Sequence, residues 1–111
     1  MQTAKSVTKY IRIPPRKARL AADLIRGLNV EEATLQLLAS QLKAGRLLEK
    51  TLRSAVADAE TLLNVQRKDL TVQEVRVDAG PVLKRAKSKS KGGRVPVMKR
   101  TSHFTVVVAA K

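Results

Sequence analysis

No cysteine occurs in this 111-residue chain, which excludes a disulfide framework, a zinc–thiolate site and thiol chemistry, and suits a reducing cytoplasm. Tryptophan is absent too, and Tyr10 and Phe104 are the whole aromatic complement. The core must therefore be built from Leu, Val, Ile and Ala. The same poverty excludes the exposed aromatic platforms on which single-strand nucleic-acid binders stack bases. No apolar run approaches the ~20 residues that cross a bilayer as a helix. Met1 to Lys9 lacks a hydrophobic signal region, so the chain reads as soluble and unprocessed. Gly-rich phosphate loops, metal-ligand spacings and paired-carboxylate motifs are missing as well, so no cofactor and no metal is expected. The most pointed absence is local: after Asp78 the chain contains no Asp or Glu.

What fills that acid-free stretch is positive charge. Lys84, Arg85, Lys87, Lys89, Lys91, Arg94, Lys99 and Arg100 fall within it, and the whole chain carries a formal charge of +14 with a pI near 11.0. Such a segment cannot neutralise itself, and the densest polyanion in a cell is the phosphate backbone of nucleic acid. An anionic membrane surface would require an amphipathic helix with bulky apolar anchors beside the charges. Here the charges sit among Ser, Gly and Val, so membrane binding is not expected. Alternating lysines also protect a strand edge from aggregation, but edge protection does not require the complete loss of acids.

The length suits a single domain, residues 1–111, with a modest core. Thr3 to Ile13 reads as a half-buried strand stopped by Pro14-Pro15. Pro15 suits the first position of a helix, with Leu20, Ala21, Leu24, Ile25 and Leu28 as its apolar face and Gly27 as its stop. Asn29, with Glu32 three residues on, marks the cap of a second helix that buries Val30, Ala33, Leu37 and Leu38. Ser40 is the expected cap of a third and longest helix, with Ala44, Leu47, Leu48, Thr51, Ala55, Val56, Ala59 and Leu62 at helical spacing. From Leu70 the period becomes two, and its phase shifts between Val72 and Val75 as at a bulge. A strand over Val95 to Val108 completes a hairpin whose turn is supplied by Ser88, Ser90, Gly92 and Gly93. The fold class is α+β: three helices packed on a small antiparallel sheet, with a long protruding basic β-hairpin. Its body spans about 1–79 and 101–111, its arm about 80–100. The arm measures ~30 Å at strand rise, against a radius of gyration of ~12 Å for a compact body, so it should overhang.

Arg16, Lys17 and Arg19 crowd the first turn of the first helix, where the macrodipole disfavours each cation by roughly 0.3 to 1 kcal/mol. A phosphate there would accept both side chains and free amides, whereas the competing explanation is a solvated basic face. His103, beside Thr101 and Ser102, invites a hydrolase or nuclease. Catalysis would need an orienting carboxylate and a nucleophile or metal, and a strand histidine bonded to backbone or phosphate is the simpler assignment.

The chain resembles the bacterial large-subunit ribosomal protein twenty-two family. The likeness is carried by Arg12-Ile13-Pro14-Pro15-Arg16-Lys17-Ala18-Arg19, Ala22-Asp23-Leu24-Ile25-Arg26-Gly27, Val30-Glu31-Glu32-Ala33 and Ser54-Ala55-Val56-Ala57-Asp58-Ala59-Glu60. It continues through Asp78-Ala79-Gly80-Pro81-Val82-Leu83-Lys84-Arg85 and from Lys99 to Val108. The resemblance implies a cytoplasmic, non-enzymatic constituent of the large ribosomal subunit that supports its assembly. It implies one copy per ribosome, contacts with ribosomal RNA and neighbouring ribosomal proteins, and a hairpin tip that lines the exit tunnel beside the nascent peptide. The expected RNA contacts are Lys9, Arg12, Arg16, Lys17, Arg19, Lys84, Arg85, Lys87, Lys89, Lys91, Arg94, Lys99, Arg100 and His103, and the expected tunnel lining is Lys89, Ser90, Lys91, Gly92 and Gly93. Departures from the family's usual residues are Pro14 for a capping Ser, Asp58 for an Asn, and the tip from Ser88 to Arg94. An architectural DNA binder is the rival binding module, but it would place an apolar wedge at the arm tip. A small nuclease using His103 is the rival enzyme.

Overall fold

The computed structural model describes residues 2–88 and 94–110 and, within 86–88 and 94–96, the backbone alone. Strand β1 (Gln2–Ile11) turns Ala4 and Ser6 inward and leaves Lys5 and Lys9 in solvent. It ends two residues before the expected Ile13. Tyr10 adopts a left-handed φ of 60°, the pairing register shifts between Thr8 and Ile11, and the chain turns towards Pro14. Helix α1 (Pro15–Ile25) starts on Pro15, whose fixed φ suits a first helical position. Its buried stripe is Ala18, Ala21, Ala22 and Ile25, whereas Leu20 and Leu24, expected in the core, are 62% and 42% exposed. The stripe that packs inward is centred on the alanines, and at 3.6 residues per turn Leu20 and Leu24 then fall on the other side of the helix.

Gly27 has φ 84°, the conformation that stops the helix, and its amide donates to Val72 O at 3.1 Å. Helix α2 (Val30–Ala39) is capped as expected, with Asn29 Oδ1 accepting from the Glu31 amide at 2.9 Å. Its outward residue Leu38, expected inside, is exposed. Ser40 does not cap α3 (Lys43–Leu63). It closes α2 instead, donating through Oγ to Leu37 O at 2.7 Å, because Gln41 takes a left-handed φ of 59° and leaves Leu42 as the N-cap. α3 buries Ala44, Leu48, Leu52, Ala55, Val56 and Ala59, leaves Leu62 exposed, and ends at left-handed Asn64.

After a 3₁₀ turn at Arg67–Asp69, strand β2 (Leu70–Ala79) carries the expected bulge between Val72 and Glu74. It pairs antiparallel with the last strand, which pairs in turn with β1, so that this last strand is the middle of a three-stranded sheet. Phe104, Val106 and Val108 of that strand are fully buried in one cluster with Ile25, Leu37, Leu48 and Leu52. The three helices and the small antiparallel sheet make the α+β body.

The arm is a separate two-stranded ladder of β3 (Leu83–Ser88) and β4 (Arg94–Lys99), and the last strand of the body is therefore β5 (Ser102–Ala110). A continuous strand over Val95 to Val108 is not formed. Ala79 still faces Ser102 and Leu83 faces Lys99, so three residues on one side lie against two on the other, and the register slips by one. Pro81 has no N–H to continue the ladder. Thr101 fastens the joint: its carbonyl accepts from the Gly80 amide at 2.9 Å and its hydroxyl donates to Pro81 O at 2.6 Å. Beside it Ser102 Oγ donates to Ile13 O at 2.6 Å in a buried position. The molecule measures 62 × 24 × 16 Å with a radius of gyration of 16.9 Å. A compact chain of this length would have about 13 Å, so the arm overhangs as its length predicts.

Candidate nucleic-acid interface

Ion pairing accounts for three of the arginines. Among the described residues, Arg26 pairs with Asp23 at 2.7 Å, Arg53 with Glu49 at 2.7 Å, and Arg76 with Glu74 and Asp78 at 3.7 and 3.3 Å. None of these arginines belongs to the expected set of RNA-binding residues. Lys9, Arg12, Arg16, Lys17, Arg19, Lys84, Arg85, Lys99 and Arg100 are all exposed, and none forms an ion pair among the described residues. Lys5, Lys43, Arg46, Lys50, Arg67 and Lys68 are likewise exposed and without an ion pair among the described residues, so pairing alone does not mark out the interface.

At the start of α1 the structure narrows the expected phosphate cradle. Pro14 is the N-cap and has no side chain able to bond, Pro15 has no N–H, and the Lys17 and Ala18 amides both donate to Pro14 O at 3.1 Å. Among the described residues the Arg16 amide has no backbone partner, so side chains rather than amides dominate this end. Arg19 is partly committed elsewhere: Nη2 donates to Val77 O at 3.2 Å, and Arg26 Nη2 likewise reaches Val75 O at 2.9 Å. Two guanidinium groups of α1 and its C-cap thus cover the carbonyls on the free edge of β2, an edge that would otherwise invite pairing.

Along the arm root Lys84, Arg85, Lys99 and Arg100 are exposed, and Arg85 bonds the neighbouring Lys84 O at 3.0 Å. Lys87 faces Val95 and Arg94 faces Ser88 in the ladder. Lys89, Ser90, Lys91, Gly92 and Gly93 lie outside the described residues.

Between arm root and body lies a cleft of about 460 Å³ lined by Arg12, Pro14, Lys43, Met98, Lys99 and Arg100. It joins cations expected from distant parts of the sequence. Lys43 is not among the expected residues, because it stands outside every basic run and reaches the cleft only through the turn between α2 and α3. Next to it a second cavity of about 290 Å³ is lined by the aliphatic Ile13, Leu20, Leu42 and Ala44 together with Lys17 and Lys43. Lys43 lines both.

His103 stands apart from this cleft. Its Nδ1 accepts from the Tyr10 amide at 3.1 Å, and its ring meets that of Tyr10 edge-on, with centroids 5.0 Å apart. This is the backbone-bonded strand histidine of the simpler assignment. No cluster of potential metal ligands occurs among the described residues, and no described helix is long and apolar enough to cross a membrane. Asp58 is exposed on α3.

The chain is 69% identical over 109 residues to the large ribosomal subunit protein uL22 of Protochlamydia amoebophila, covering 98% of each chain. It is 64% identical over 107 residues to the protein of the same name from Chlamydia pneumoniae, and 65% identical to that from Chlamydia abortus, with 96% of each chain covered in both cases. Residues 6–109 match the family model described as ribosomal protein L22p/L17e. The chain belongs to that family of structural ribosomal proteins, which are not enzymes.

Proposed function

We propose that this protein is built into the large ribosomal subunit in the cytoplasm by binding ribosomal RNA through the start of α1, the cleft and the basic arm. The observation that carries this reading is the division of charge. After Asp78 the chain has no acid, and Arg12, Lys43, Lys99 and Arg100, which line one cleft, form no ion pair among the described residues. A two-stranded ribbon has little stability of its own in water, and phosphates along both strands would neutralise and order it. The chain acts as one domain, 1–111, in one copy per ribosome, against neighbouring ribosomal proteins as well as RNA. The body sits on the subunit exterior, and the arm carries Lys89 to Gly93 to the wall of the exit tunnel beside the nascent peptide.

Co-sedimentation tests the first part: the native protein should travel with the large subunit and remain there through a moderate salt wash. A crosslinker at Ser90 tests the second, and should label nascent peptide or tunnel RNA in translating ribosomes. Labelling confined to exterior RNA would remove the tunnel placement and leave RNA binding intact.

A further inference from the structure

We propose that the cationic cleft and the aliphatic slot beside it form one site for a single unpaired RNA nucleotide, with its flanking phosphates in the cleft and its base in the slot. The proposal rests on the RNA-binding reading and specifies what that surface selects. Arg12, Lys43, Lys99 and Arg100 converge on the cleft, and none forms an ion pair among the described residues. Like charges held together repel, and phosphate is the ligand that removes the repulsion. The slot has the opposite chemistry. Leu20 and Leu42 are 62% and 38% exposed, so two large aliphatic side chains that the core does not use line it.

Lys43 lines both cavities. A nucleotide likewise holds an anion and a flat, largely apolar ring a few bonds apart. The slot, about 290 Å³, is roughly twice the ~150 Å³ apolar cavity that takes up a benzene ring, which leaves room for a purine. A paired base stays stacked inside its helix and cannot enter. Extruded bases are held between aromatic or apolar side chains, and this chain, with only Tyr10 and Phe104 as aromatics, would use aliphatic ones. The protein then recognises an irregularity in folded RNA, a bulge, besides the charge and shape of a duplex.

The test uses the purified full-length protein and three RNA hairpins of one sequence: fully paired, with one unpaired adenosine, and with an abasic residue at the bulge. The bulged hairpin should bind about tenfold more tightly than the other two. Leu20→Ser and Leu42→Ser should bring that ratio towards unity, while Leu62→Ser, an exposed change on α3, keeps it. Lys43→Ala should weaken binding and reduce its salt dependence. Equal affinity for bulged and abasic hairpins, or a ratio indifferent to Leu20 and Leu42, overturns the nucleotide site while RNA binding stands. Equal affinity accompanied by binding of an acidic, leucine-rich peptide probe to the slot overturns it in favour of a protein partner. Failure to bind any hairpin overturns the RNA reading and this site together.

Discussion

The β2–β5 and β3–β4 ladders are two halves of one hairpin, yet they are held together by different forces. In the body half, Phe104, Val106 and Val108 of β5 and Leu70, Val72 and Val75 of β2 are shut away from water beneath α1 and α3. In the arm half, Lys84, Arg85, Met98 and Lys99 are exposed, and Leu83 and Val97 are only half-buried. Burial stabilises by roughly 25 cal/mol per Å² of apolar surface, and the described side chains of the arm bury little. Backbone hydrogen bonding alone therefore makes the same ladder in both places without making it equally stable. The difference lies in what stands on its faces: helices for the body, solvent or RNA for the arm.

Amide exchange in the free protein should show the largest contrast. Amides of Phe104, Val106 and Val108 should open only with global unfolding, whereas those of Leu83–Ser88 and Arg94–Lys99 should exchange orders of magnitude faster and slow down in the assembled subunit. Equal strong protection of both ladders would abolish the distinction. Truncation comes next: Phe104→Ala should cost about 3–5 kcal/mol in urea unfolding, and Val97→Ala no more than about 0.5 kcal/mol. At the joint, a Cβ added at Gly80 would lie 2.5 Å from Thr101 Oγ1 and 3.1 Å from His103 Cε1. Gly80→Ala should therefore cost roughly 1–3 kcal/mol, and an unchanged midpoint would show that the joint yields freely.

The smallest effects separate binding from support within the first turn of α1. Arg16→Ala and Lys17→Ala should each lower the slope of log K against log salt for RNA by roughly 0.7–0.9 for every phosphate left without its cation. Arg19→Ala should change that slope less and instead remove about 1 kcal/mol of stability, since its guanidinium bonds Val77 O. A reversed result would place Arg19 on the RNA and leave Arg16 in solvent.

Local signals are legible wherever one residue decides the backbone. Pro15 starts α1, Asn29 caps α2, Gly27 stops a helix, and the shifted phase after Val72 marks the bulge. Less legible are features decided by packing between distant segments. Leu20 and Leu24 have core periodicity, but the stripe that packs inward is Ala18, Ala21, Ala22 and Ile25, and the leucines face outward. Ser40 has the chemistry of an N-cap and is drawn into closing α2. The charge of the site is plain in its basic runs. Its cleft is not, because Lys43 joins Arg12 and Lys99 only when the α2–α3 turn folds beside the arm root.

Because β5 lies between β1 and β2, the sheet cannot assemble in the order in which the chain is synthesised. While the chain is being made, β1 has no strand to pair with, and β2 finds only the backbone around Gly27 and Leu28. The helices can gather first through short-range contacts, as local structure generally does. The basic arm emerges before the strand that anchors it on the body. Each growing chain thus carries two unsatisfied strand edges until β5 appears. The accumulating positive charge repels other copies during that interval and disfavours edge-to-edge pairing. A charge distribution suited to phosphate in the finished particle also protects the unfinished chain from its own kind.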